Sequence, residues 1–112
     1  AYVTYMKKVA ANLKNYNCDM YYLSVNPVNS AMIKSVGGKA RSEAQIASFN
    51  RTIYKNLCSG KNKSFTYINS CTNLQMKGWI SNRHDMGIYD GLHYSNATYL
   101  RIFDYCMRYL NR

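Results

Sequence analysis

The segment MYYLSV, residues 20–25, most constrains what this chain can fold into. It is a near-continuous apolar run with aromatic and β-branched residues, bounded by NYNCD before it and NPVNS after it. Such a run, with no polar alternation, reads as a strand covered on both faces, as in a parallel sheet. Pro27 ends it, because a proline has no N–H to give a sheet ladder. FTYIN, residues 65–69, reads as a second short strand.

Helical patterns separate and flank these strands. Residues 2–15 place Val3, Met6, Val9 or Ala10, and Leu13 on one face, with Lys7, Lys8, Asn12 and Lys14 mostly off it. The clearest helix follows Ser42, whose pairing with Gln45 has the capping-box spacing. Ile46, Phe49, Ile53 and Leu57 continue it at helical intervals, and Gly60 supplies a breaker. The last helix runs from about Asn96 to Leu110, capped by Ser95, with Tyr99, Phe103, Cys106 or Met107, and Leu110 as its expected buried stripe. AMIKSVGGKA (31–40) reads as a connecting loop, and residues 70–94 as mostly irregular, with room for one turn around NLQMKGW.

The order helix, strand, helix, strand, long loop, helix argues for an α/β layered fold with parallel strands. The strand count falls short. A two-stranded sheet is marginal alone and gives three apolar-faced helices too little to cover. Other strands are therefore expected from an upstream segment of the same gene product, a second chain, or a swapped copy, and the 112 residues are not expected to fold alone.

Composition narrows the function. Fifteen Lys+Arg against five Asp+Glu give a net charge of +10. The basic residues are scattered, however, and the densest group is SGKNKS (59–64) with Lys55, so a solvated basic surface stands beside a polyanion-binding role. No specific nucleic-acid partner is expected, and the 12 tyrosines read as packing residues rather than base-stacking platforms. No apolar run approaches a membrane span, and the N-terminal residues lack a signal-peptide layout. Cys18, Cys58, Cys71 and Cys106 show neither C-x-x-C nor zinc spacing, which leaves disulfides and buried thiols both open.

The chemistry-bearing stretch is IYDGLHYSNATYLRIFDYC, residues 88–106. Asp90 and His93 stand three apart in a glycine-containing turn that opens the last helix. A histidine acting as general base needs its other ring nitrogen held by a carboxylate, and this spacing permits that contact locally. His84-Asp85 lacks such a spacing and reads as a surface pair. Asn26 and Asn29 follow the first strand, where ligands bind in open α/β sheets, or they serve as turn-formers around Pro27. Trp79 and Tyr89 are candidates for flanking a substrate, with core packing the alternative for Trp79.

The DGLHYS block closely resembles the final D-x-x-H block of the SGNH (GDSL-type) hydrolases, which precedes a C-terminal helix and supplies two members of a Ser-His-Asp triad. YYLSVNPV resembles a late core strand and exit loop of bacterial members, SEAQIASFNRTIYKNL the helix after it, and FTYINS the last strand. The resemblance spans this chain in order but covers only the C-terminal half of the family domain, a three-layer α/β/α flavodoxin-like fold. It implies a serine esterase with His93 as general base and Asp90 as its orienter, acting on carbohydrate or cell-wall O-acyl esters in an extracellular or cell-envelope setting of a bacterium. It implies no metal or organic cofactor. The family's nucleophile lies in a G-D-S motif, which is absent here. The serine is therefore expected from the missing half, which would also supply the missing strands. The rival readings are a non-catalytic remnant or partner subunit of that fold, or a basic polyanion-binding module.

Overall fold

A computed structural model of the chain describes residues 1–37, 39, 42–76 and 91–111. The elements run α1 (Tyr2–Lys14), β1 (Tyr21–Leu23), α2 (Ser30–Ser35), α3 (Glu43–Leu57), β2 (Thr66–Ile68), α4 (Ser70–Met76) and α5 (Asn96–Leu110). The chain is a mixed α/β structure in which β1 and β2 pair in parallel, Tyr22 opposite Tyr67. Among the described residues no helix is long and apolar enough to cross a membrane.

Tyr22 and Tyr67 share one face of this sheet and pack against a core of Ala10, Ile53, Leu57, Cys58 and Phe65. That core joins α1 and α3 to the strands. The capping box of α3 is present as read from the sequence: Ser42 Oγ accepts from Gln45 N–H, and Gln45 Oε1 accepts from Ser42 N–H, both at 3.0 Å. A second cluster, Met32, Leu74, Tyr94 and Ile102, ties α2 and α4 to α5 and to the turn before it.

Three features differ from the sequence reading. First, the β1 run is not covered on both faces. Tyr21 and Leu23 project opposite to Tyr22, and Leu23 is 42% exposed. Second, residues 30–35 and 70–76 are short helices rather than loop or irregular chain. Asn29 Oδ1 caps α2 by accepting from Met32 N–H at 3.1 Å, and the buried Met32 and Ile33 anchor it. Third, α5 buries Thr98 and Ile102, with Tyr105, Cys106 and Tyr109 half-buried. Of the stripe expected to be buried, Cys106 and Met107 are half-buried, Cys106 against the second cluster, whereas Tyr99, Phe103 and Leu110 are exposed, as is Leu100 beside them.

The edge of β1 is informative. Thr66 N–H donates to Met20 O at 2.9 Å and Ser24 N–H to Ile68 O at 3.0 Å. These bonds turn the peptide groups of residues 20, 22 and 24 toward β2, so those of Tyr21 and Leu23 face the opposite edge. Among the described residues no strand lies there. Two residues on, the Asn50 side chain of α3 takes the place of a neighbouring strand: Oδ1 accepts from Val25 N–H at 2.9 Å and Nδ2 donates to Val25 O at 3.0 Å. Asn50 is buried. Asn50→Asp keeps the shape but sets a carboxylate oxygen against the Val25 carbonyl. We expect a loss of about 2–4 kcal/mol in a urea titration near neutral pH, from a lost bond and an uncompensated buried charge. The protonated acid donates again, so the deficit against wild type shrinks as pH falls through the acid's raised folded-state pKa. A pH-independent deficit would show that the Nδ2 donor is not the feature that matters.

Candidate active site

The first strand's exit and the turn before the last helix are bonded to each other, although more than 60 residues separate them in sequence. Asn29 N–H donates to Gly91 O at 2.9 Å, and the buried Tyr94 hydroxyl donates to Pro27 O. Tyr94 N–H in turn donates to Tyr99 Oη at 3.1 Å. Gly91 makes the approach possible. Its φ is +81°, and a Cβ there would lie 2.4 Å from Asn29 O and 2.7 Å from Ile33 Cγ1. Ser95 Oγ then accepts from Thr98 N–H at 3.2 Å and starts α5 as the sequence indicates.

His93 lies between these anchors. The chain is fixed before it at Gly91 and after it at Tyr94, while its side chain is exposed. The exposed imidazole thus stands on backbone held at both sides, beside the C-terminal exit of a parallel strand. Asp90, Trp79 and Tyr89 lie outside the described residues, as do His84 and Asp85.

The two asparagines have local duties. The Asn29 side chain is the cap of α2. Asn26 Oδ1 accepts from Ser70 Oγ at 3.5 Å, at the margin of hydrogen bonding. Ser70 Oγ also lies 3.3 Å from Ser24 Oγ, which accepts from Cys71 N–H at 2.9 Å. This buried polar chain links the exits of β1 and β2. Ser70 occupies a strand-to-helix turn, the position of a nucleophile elbow in α/β hydrolases. It is nevertheless 1% exposed and its hydroxyl is engaged inward, so no attacking serine is presented there. Sequence reasoning missed Pro27, Gly91 and Tyr94 as the parts that hold the turn. The glycine inside DGLH was the one available signal.

The four cysteines are free thiols: Cys18 exposed, Cys106 half-buried, Cys58 and Cys71 buried. Burial pushes the Cys58 thiol from 9.0 to about 11. Desolvation also raises the Tyr94 phenol, and the Tyr22 phenol with help from its 2.6 Å bond to Tyr2. These groups hold their protons in the folded state beyond the pH at which the unfolded chain releases them. Their contribution to stability is thus full below the ordinary thiol value of 9.0 and is lost as pH rises through the raised values. The urea midpoint is expected to hold steady up to about pH 8.5 and to fall clearly by about pH 10.5. A midpoint that rises over that interval would contradict the burial of these groups.

No family model matches the chain, and no curated protein or solved structure is significantly similar to it.

Proposed function

We propose that this chain is the C-terminal half of an SGNH-type serine ester hydrolase, completed by polypeptide that carries the nucleophile and the remaining parallel strands. The observation that carries this reading is the anchoring of the DGLH turn on the β1 exit through Gly91–Asn29 and Tyr94–Pro27, with His93 exposed between the anchors. Two others support it. Among the described residues, the outer edge of β1 has unpaired peptide groups at Tyr21 and Leu23, suited to a further parallel strand. The apolar stripe of α5 that holds Phe103 and Leu110 is exposed, and it suits a further layer of polypeptide.

In this reading the partner serine attacks the acyl carbon of an O-acyl ester while His93 takes its proton. The tetrahedral intermediate collapses, the ester C–O bond breaks, and His93 returns the proton to the leaving alcohol. Water then repeats the sequence on the acyl-serine and frees the acid. Asp90 holds the imidazole and stabilises its charged form. The substrate is a carbohydrate or cell-wall O-acyl ester, met outside the cell or in its envelope, where the +10 surface suits an anionic polymer.

The test is labelling of the intact preparation with a fluorophosphonate, followed by denaturing mass spectrometry. The expected adduct is on a serine within a G-D-S sequence outside these 112 residues. A folded preparation that contains only this chain and takes up no label would sink the hydrolase reading.

A further inference from the structure

A cavity of about 770 Å³ lies against β2, well away in sequence from the DGLH turn. Its walls come from α3 and from residues 67–72, and they include no residue of β1 or of the segment 91–94. The volume is in the range of small-molecule pockets. Among the described residues, the charged groups of its wall are Arg51 and Lys55, with no carboxylate. These cations are four apart on α3, so they sit on one side of the helix as neighbours. A like-charge pair at that spacing costs a helix a little stability. Ala47, one turn earlier on the same side, leaves room beside them.

The rest of the wall is mixed. Tyr54 and Tyr67 meet edge to face, ring centroids 5.3 Å apart, and give an aromatic surface. Asn69 Oδ1 accepts from Thr72 N–H at 3.1 Å, which fixes the amide and leaves its Nδ2 as a donor beside the cavity. An aromatic wall beside a guanidinium and an ammonium is matched by a molecule that has an anionic group on a ring. The guanidinium fork suits a phosphate or carboxylate, and the ammonium adds a point charge. We propose that this cavity binds a small organic anion, a phosphate- or carboxylate-bearing ring compound, with Arg51 and Lys55 on the anion and Tyr54 and Tyr67 against the ring. This site stands apart from the hydrolase reading, because none of its described lining residues belongs to the segment 91–94.

Calorimetric titration of the full protein with phenyl phosphate, inorganic phosphate and phenol tests it. Phenyl phosphate is expected to bind at least about tenfold more tightly than either fragment, since only it meets both halves of the cavity. Arg51→Gln with Lys55→Gln is expected to lower its affinity by about tenfold or more while the melting temperature holds or rises. Lys61→Gln with Lys63→Gln removes as much charge outside the cavity and is expected to leave the affinity unchanged. His93→Ala is likewise expected to bind as wild type does, whatever it does to ester hydrolysis. Equal binding of phosphate and phenyl phosphate, equal losses in the two double variants, or no heat with phenyl phosphate at about 10 mM would each overturn the assignment.

Discussion

If the chain completes a serine hydrolase as proposed, His93→Ala is expected to lower ester hydrolysis by the assembled protein by about 10⁴–10⁶-fold and to leave its fold intact. The size follows from the chemistry. Without a base to take its proton, the serine attacks as a neutral alcohol, and the leaving alkoxide departs unprotonated. The residual rate is what an oxyanion hole and substrate binding supply alone. The loss should fall on kcat rather than KM, because the imidazole acts on the reacting bonds and not on the bound ester. The acidic limb of the pH–rate profile, which reports the base, should disappear with it. The fold survives because the His93 side chain is exposed and the backbone around it is fixed by other groups: Gly91 O on Asn29, the Tyr94 hydroxyl on Pro27, Ser95 at the helix start. Thermal melting within about 1–2 °C of wild type is the companion measurement. A variant with unaltered turnover would remove His93 from the mechanism and favour a partner subunit that keeps the fold without the chemistry.

The parts of this architecture with a local cause were legible in the sequence. Ser42 and Gln45 cap α3 through bonds three residues apart, and Ser95 starts α5 in the same way. The dense apolar character of MYYLSV correctly indicated parallel pairing with FTYIN. Its coverage on both faces was misread because a hydrophobic pattern records what a surface is suited to pack against, whether or not that layer belongs to the same chain. The same cause underlies the error on α5. Tyr99, Phe103 and Leu110 repeat at helical spacing, yet all three are exposed, and the packed side is that of Thr98 and Ile102. The short helices α2 and α4 were missed because six and seven residues carry too little periodicity to read. Tertiary anchoring holds them, through Met32 and Ile33 in one and Leu74 in the other. The anchoring of the turn before α5 was not legible. Asp90 and His93 are singled out by spacing alone, with Asp90 outside the described residues, and nothing in the sequence says that the tyrosine after the histidine bonds a proline carbonyl 67 residues earlier. Asn50 was equally silent, a polar residue on an apolar helix face whose partners are the main chain of Val25.

Gly91→Ala is expected to destabilise the protein by about 2–4 kcal/mol and to disable the turn it belongs to. Two penalties combine there. A φ of +81° is left-handed backbone that an L-residue adopts at a cost of about 1 kcal/mol. The added methyl would also lie 2.4 Å from Asn29 O, 2.7 Å from Ile33 Cγ1 and 2.8 Å from Ile33 N. Two of those three atoms are backbone, and the third belongs to a side chain only 1% exposed, so none of them has room to yield. The strain is relieved by pushing the turn off the β1 exit, which breaks the 2.9 Å bond from Asn29 N–H to Gly91 O and carries His93 away with it. Gly60 separates the two causes. Its φ is +85°, nearly the same, but nothing lies within 4 Å of the Cβ position. Gly60→Ala therefore carries the backbone term alone, about 1 kcal/mol, and leaves ester hydrolysis untouched. The difference between the two alanine variants in one urea titration measures the contact between the turn and the exit loop. If both lost the same stability and both kept activity, the turn would not be seated on residues 29–33. His93 would then have no fixed relation to the strand end from which a base must work.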